Sequence, residues 1–426
     1  MKKYDRYKKT NIDWIGDIPE HWEVKKLRYV SSHIFAGGTP STNIEEYWNR
    51  NDYIWLPSGR IQNKEIQKTE DEKYVSQFGL DNSSTKLIEA NTTLIALTGA
   101  TCGNVGYLTF DACANQSVVS IKSDKSFNSK FLFYYLLSQK EPIVLKKSGG
   151  AQGGINTEDV KSLDFVTPSI DEQTQISTYL DKKTSLIDKL INNNKRLIKL
   201  LEEKRIALIN KVITKGLDPN VKMKDSGIEW IGDIPEHWEI LRLKYAAQLV
   251  TEKATEEPAL RKVALENIQS KKSKYIETSN DFQGNGVAFK EGDVLYGKLR
   301  PYLVKVWVAE FEGLAVGDFF VLRNNKNIIS QDYLRYLLMS DLYTQLINSS
   351  TFGAKMPRVS WEFMTNIRLV LPTLSEQVEL VSYLDALTEK IDRRIQLFND
   401  QNVLLKEYRQ SLISNVVTGK IKVTNL

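Results

Sequence analysis

Between residues 171 and 212 apolar side chains return at seven-residue steps, at Leu180, Ile187, Leu201 and Leu208, and no proline or glycine interrupts them. That spacing predicts one long helix carrying a coiled-coil seam. Leu190 and Leu197 are assigned to the neighbouring seam position, and Lys183 and Asn194 interrupt it. A buried polar residue at such a place can fix register, and an end exposed to solvent explains it equally well. Gly216, followed by Pro219, predicts the stop. The pattern recurs at Leu384, Ile391, Leu405 and Leu412, with Phe398 where the first stretch has Asn194. Two matched helices bury their seams most simply against each other, and about 42 residues give a rod of about 60 Å. Elsewhere short strand-like runs alternate with glycine turns, at residues 92–97, 117–122, 293–298 and 318–323. A helical run follows each set, FLFYYLLS at 131–138 and YLRYLLMS at 333–340. These patterns predict mixed α/β domains of roughly 150 residues each.

The chain repeats itself. Residues 12–23 read IDWIGDIPEHWE and residues 228–239 read IEWIGDIPEHWE, differing only at Asp13 and Glu229. Their offset is 216, whereas PSIDEQ at 168–173 matches PTLSEQ at 372–377 with an offset of 204. That second offset holds through residues 200–216 and their counterparts at 404–420. The difference, 216 − 204 = 12 residues, lies between the signatures, so the first intervening region is the longer. The order is variable region (1–167), shared helix (168–216), variable region (217–371), shared helix (372–426). An α+β fold follows, with two mixed α/β domains joined by two long antiparallel coiled-coil helices in a pseudo-two-fold internal repeat.

Composition narrows the function classes. With 426 residues the chain is long enough for several domains, and 58 basic against 53 acidic residues give a net charge of +5. That balance is compatible with nucleic acid and weak evidence by itself. The longest strongly apolar run, from Phe131 to Leu137, is far too short to cross a bilayer, and the basic N-terminal stretch lacks the apolar core of a signal peptide. Two cysteines make no disulfide scaffold, which predicts a cytoplasmic protein.

Catalytic chemistry has little to work with. Two of the three histidines, His21 and His237, belong to the repeated signature, and His33 stands alone. There is no HExxH, no paired-cysteine motif, no phosphate loop, no GxGxxG and no Asn/Asp-Pro-Pro-aromatic methylase motif, so neither a catalytic nor a metal site is expected. Asp71-Glu72-Lys73 imitates part of a nuclease motif but reads better as a solvated face. Binding motifs are richer. Residues 296–307, YGKLRPYLVKVW, interleave Lys298, Arg300 and Lys305 with aromatics, and strand alternation would put Tyr296, Lys298, Arg300 and Tyr302 on one face. Lysine neutralises phosphate and arginine forks onto guanine, although an edge strand with solvated charges would look the same. Lys355 and Arg358 lie in a loop with glycine and proline, which can enter a groove or merely connect elements. In the first variable region the corresponding loop offers Lys146 and Lys147 for phosphate, and Gln152 or Asn156 for adenine. Gly38, Thr39, Ser41, Arg60 and Lys64 are further candidates, with a plain surface loop as the alternative for each. The four signature tryptophans, Trp14, Trp22, Trp230 and Trp238, read as structural anchors, because identical residues cannot explain recognition of two different sequences.

The layout resembles the specificity subunit of type I restriction–modification systems. WIGDIPEHWE in each half, GGTPS, YGKLRPYL, AVGDFFVLR, PSIDEQTQI and PTLSEQVEL carry the resemblance over essentially the whole chain. It implies a non-catalytic subunit with two target-recognition domains (1–167 and 217–371), each reading one half of a split, asymmetric site in double-stranded DNA. It implies that the helical segments (168–216 and 372–426) set the spacer and dock two methyltransferase subunits, with restriction subunits completing the nuclease. S-adenosylmethionine, ATP and magnesium would then sit on those partner subunits, with no cofactor in this chain. Two other classes compete: a two-headed adhesin or scaffold on a helical stalk, and a cryptic nuclease or methyltransferase, which the missing motifs oppose.

Overall fold

The computed structural model describes residues 2–123, 127–147, 153–254, 261–279, 285–353 and 355–423. The chain divides into two compact units, Met1–Asn193 with Asp400–Leu426, and Asn194–Asn399. Each unit therefore contains one variable region and half of each long helix. No helix among the described residues is long and apolar enough to cross a membrane.

In the first unit a five-stranded sheet runs in the order Ser31–Ala36, Val118–Ser123, Thr92–Ala96, Val105–Leu108, Lys64–Ile66, and only its last pair is parallel. A smaller sheet pairs Tyr53–Leu56 with Lys73–Val75 and, in parallel, with Ala112–Ala114. The helix Ser129–Ser138 lies on the larger sheet, started by Asn128, whose side chain accepts from the Lys130 and Phe131 amides. Its FLFYYLL run is buried all round, which is why it shows little amphipathic pattern.

The second unit repeats the plan with, among the described residues, one strand fewer in the principal sheet. Ala247–Val250, Phe319–Asn324, Val294–Gly297 and Val306–Val308 form it, and Gly313–Ala315 again lies parallel to a strand, Arg261–Val263. The four strand-like runs and both short helices expected from the patterning are present. In both units the repeated signature contributes a short strand, Asp17–Pro19 or Asp233–Pro235, hydrogen-bonded to a strand just before it in the chain.

The two long helices are Ile170–Lys215 and Leu374–Val417, of 46 and 44 residues. The first stops where expected, with Gly216 in the left-handed region at φ +71°. Inside the first unit the helices run antiparallel. Asp188 pairs with Arg409 at 3.2 Å, while Trp22 links Glu172, near one helix start, to Gly419, just past the other helix's end. Inside the second unit Arg205 faces Asp392 at 3.9 Å, and Gly216 lies beside Glu376. These are the same two positions used twice, since 188 + 204 = 392 and 205 + 204 = 409.

The seam itself differs from expectation in one respect. Leu180, Ile187, Leu384, Ile391 and Leu412 are buried, and Leu201, Leu208 and Leu405 are half-buried. Leu190 and Leu197, however, are 47% and 43% exposed, and Lys183 points to solvent. The alternate seam positions are Ser177, Thr184 and Ile191, all buried, and Gln173, also buried, extends the Leu180 series by one step. Three of these are polar and bonded locally: Ser177 and Thr184 donate to carbonyls one turn back, and Gln173 Nε2 donates to Pro168 O. Of the two readings open for Asn194, burial is the one observed.

Candidate nucleic-acid interface

In the second unit the strand Val294–Gly297 ends before the cationic residues begin. Tyr296 is 2% exposed and belongs to the core, so the expected single face of Tyr296, Lys298, Arg300 and Tyr302 does not exist. Proline explains this, because Pro301 has no N–H to continue a ladder and instead opens a single 3-10 turn, Pro301–Leu303. Arg300 sits before it at φ +49°, a left-handed conformation that costs a non-glycine residue about 1–2 kcal/mol. Main-chain bonds hold it there: the Arg300 amide donates to Pro357 O at 2.7 Å, and the Val359 amide donates to Lys298 O at 3.1 Å. The fold thus brings together two loops, 298–303 and 352–359, that the sequence presented separately.

Between them lies Asp318. Its carboxylate accepts from Arg358 Nε and Nη2 at 3.2 and 3.0 Å, with Lys298 Nζ 3.9 Å away. Those bonds raise the Arg358 pKa above its ordinary value and hold its guanidinium against the carboxylate, which ties the two loops together. Lys305 is held too. Its ammonium donates to Leu265 O at 2.6 Å, and burial lowers its pKa. Arg300, Tyr302 and Lys355 remain exposed, and neither cation has an ion pair among the described residues.

The first unit builds the same junction from different chemistry. The strand Thr92–Ala96 leads through Leu97 and Thr98 into the turn Gly99–Thr101. The Ile155 amide donates to Leu97 O at 2.9 Å, and Gly154 lies opposite Thr98. Only glycine fits there, because a Cβ at Gly154 would stand 2.4 Å from Leu97 O. Matching main-chain bonds put buried Leu97 in the place of Lys298 and Gly99, also left-handed, in that of Arg300, and the residues this turn exposes, Thr98 and Ala100, are uncharged. Sequence reasoning passed over this turn, which has no charge to draw attention.

Other candidates divide in the same way. Lys146 is exposed beyond the helix Lys140–Leu145, Lys147 is half-buried, and Gln152 lies outside the described residues. Asn156 is spent on a capping box, its side chain accepting from the Asp159 amide while Asp159 accepts from the Asn156 amide. Arg60 makes a two-pronged pair with Glu72 at 2.8 and 3.0 Å and also reaches Gln67 O and Thr69. Burial alone would raise the Glu72 carboxyl, but the hydrogen bonds from Arg60 and Thr69 outweigh it and hold the pKa below the usual range. The Glu72 side chain is 2% exposed, so the solvated-face reading of its triplet does not apply to it. Gly38 is buried, and its carbonyl accepts from Trp55 and Thr85. Thr39, Ser41 and Lys64 are exposed, although Thr39 donates to Gln116.

The duplicated signature proves to be a latch onto the helix starts. Trp22 and Trp238 are fully buried, and their indole N–H groups donate to Glu172 at 3.0 Å and to Glu376 at 2.9 Å. His21 and His237 meet the same carboxylates at 3.1 and 3.0 Å. Trp14, by contrast, is 47% exposed, and Trp230 is half-buried against the edge of Tyr343.

Known proteins share this plan. The chain is 23% identical over 440 residues to the type I restriction enzyme MjaVIII specificity subunit of Methanocaldococcus jannaschii, covering 96% of this chain and 95% of that one. It is 26% identical over 452 residues to the MjaIX specificity subunit of the same organism, with 99% and 97% covered. A solved chain from work on complex assembly and conformational transition of the type I R-M system superposes with a TM-score of 0.72 at 15% identity, covering 95% of this chain and 99% of that one. The type I restriction modification DNA specificity domain matches twice, at residues 19–202 and 235–397, and the chain belongs to that family.

Proposed function

We propose that this chain is the DNA-reading subunit of a type I restriction–modification complex and performs no catalysis itself. Each unit places its loop junction, 97–104 with 153–156 or 298–303 with 352–359, against one half of a bipartite site. The observation that carries this reading is the contrast between the junctions: one scaffold presents neutral Thr98 and Ala100 in one unit and cationic Lys298 and Arg300 in the other. Two readers with unlike surfaces imply an asymmetric target rather than a palindrome. Phosphate contacts from Lys64, Lys146, Arg300 and Lys355 would position the duplex, and groove contacts would specify bases.

The shared parts suit shared partners. Two copies of a methyltransferase subunit would dock on the paired helices, whose solvent faces carry Leu190, Leu197, Leu397 and Leu404. Restriction subunits would join that assembly in the prokaryotic cytoplasm. S-adenosylmethionine would be bound by the methyltransferases, and ATP with magnesium by the restriction subunits. The helix pair would also set the spacer between half-sites.

Binding of the chain, complexed with its methyltransferase, to genomic and to random duplexes over a salt series tests this. The reading expects affinity that falls with salt and a sequence-dependent excess that survives it. Equal affinity for all duplexes at every salt concentration would refute it.

A further inference from the structure

Each unit exposes a large apolar side chain near its junction, at positions that do not correspond: Leu145 aligns with half-buried Leu346 rather than with Phe352. In the first, the helix Lys140–Leu145 ends on Leu145, which is 83% exposed, directly before Lys146 and Lys147. In the second, the helix Asp341–Ser349 is followed by Phe352, which is 61% exposed, and by Met356 at 46% beside Lys355. Neither position is a loose end. Val144 lies against Gly103, where an added Cβ would come within 2.9 Å of its Cγ2, so the end of that helix sits on the turn that follows Thr98. Phe352 exchanges two main-chain bonds with Arg358, at 3.1 and 3.0 Å, and Arg358 is held by Asp318. The residues are unlike in sequence and have no place in the repeated motifs, yet each is an apolar tip on a fixed backbone beside lysine.

Single exposed apolar side chains are common on protein surfaces, and what distinguishes these two is their place beside lysines at the junction of each unit, which says what would cover them. A hydrophobic protein face would not bring lysines to its centre, whereas a duplex takes both groups at once. Phosphates meet the cations, and an apolar side chain slides between bases. The carboxylate at the second junction, Asp318, is already neutralised by Arg358 and Lys298.

We propose that Leu145 and Phe352 are wedges, each entering the duplex beside the half-site its unit reads and parting one base step. This rests on the DNA-specificity reading above. It adds that recognition includes a local deformation, so that flexible steps are favoured at positions no side chain hydrogen-bonds.

The full chain with its methyltransferase is bound to duplexes carrying the motif found methylated in genomic DNA. 2-Aminopurine replaces single bases in turn, away from the modified base and its neighbours. The parent complex should raise the fluorescence severalfold at one step in each half. Phe352→Ala should abolish the rise in one half only and Leu145→Ala in the other, each with about tenfold weaker binding. Their salt dependence should not change, because no charge is removed, whereas Lys355→Gln should lower the slope by about one and leave the fluorescence rise in place. Fluorescence insensitive to both alanine variants would overturn the proposal. So would variants that weaken assembly with the methyltransferase in the absence of DNA, which would assign these side chains to a protein face. A parent complex with no preference for the motif duplex would instead overturn the specificity reading beneath it.

Discussion

Replacing Glu376 with alanine tests how the repeated signature holds its unit together. Trp238 is fully buried, and Glu376 accepts its indole proton at 2.9 Å while also meeting His237 at 3.0 Å. Alanine leaves that buried donor without an acceptor, at a cost of about 2–3 kcal/mol for a bond to a charged group. Glutamine keeps an oxygen in place and should lose only about 1 kcal/mol. A chain of two units need not unfold in one step, so the readout should be local. Hydrogen exchange followed by mass spectrometry provides it. In Glu376→Ala, amides in residues 233–242 and in the first turns of the helix Leu374–Val417 should exchange about 30-fold to 150-fold faster. The corresponding strands of the first unit, latched by Glu172, should be unchanged. The reasoning fails if exchange accelerates equally in both units, if it does not change, or if Glu376→Gln and Glu376→Ala behave alike.

Three further outcomes follow from the structure. Glu72→Gln should cost about 2–3 kcal/mol in urea unfolding by loosening Arg60; because the folded pKa of Glu72 is lowered, its contribution is complete only above the ordinary glutamate value of about 4.3 and fades as pH falls through the folded value, so the variant should flatten the acid limb. Charge reversal across the helix pair, Asp188→Arg with Arg409→Asp, should recover about 0.5–1 kcal/mol relative to the sum of the single variants in a double-mutant cycle, and strict additivity would show that the pair contributes nothing. Gly154→Ala should weaken binding to the motif duplex by forcing the junction away from Leu97 O, whereas Gly59→Ala, with no atom within 4 Å of its added Cβ, should bind as the parent does.

Much of the fold was legible because its signals are local. The absence of proline and glycine from 171 to 212 and the stop at Gly216 marked the first long helix to within a few residues of Ile170–Lys215. The alternate seam position was misplaced for a physical reason. Hydrophobicity points to Leu190 and Leu197, but the alternate interior positions are filled by Ile191 and by Ser177 and Thr184, whose hydroxyls donate to carbonyls one turn back. A polar residue that bonds within its own turn can be buried without looking apolar.

The interface candidates show the complementary difficulty. A basic residue in sequence carries no sign of whether its charge is spent. Lys305 is claimed by a carbonyl forty residues away, and Arg358 by a carboxylate forty residues away. Asn156 is different, because Asn-x-x-Asp ahead of a short helix is a capping signature and was readable as one. Arg300 owes its presentation to a left-handed turn before Pro301, which strand alternation could not anticipate.

The central claim, that each unit reads its own half of the DNA site, is tested most directly by exchanging residues 1–166 for those of a relative with another target and mapping modified bases across the host genome. The account predicts a bipartite motif in which one half changes, while the other half and the spacer stay as they were. A change in both halves, or in neither, would contradict it.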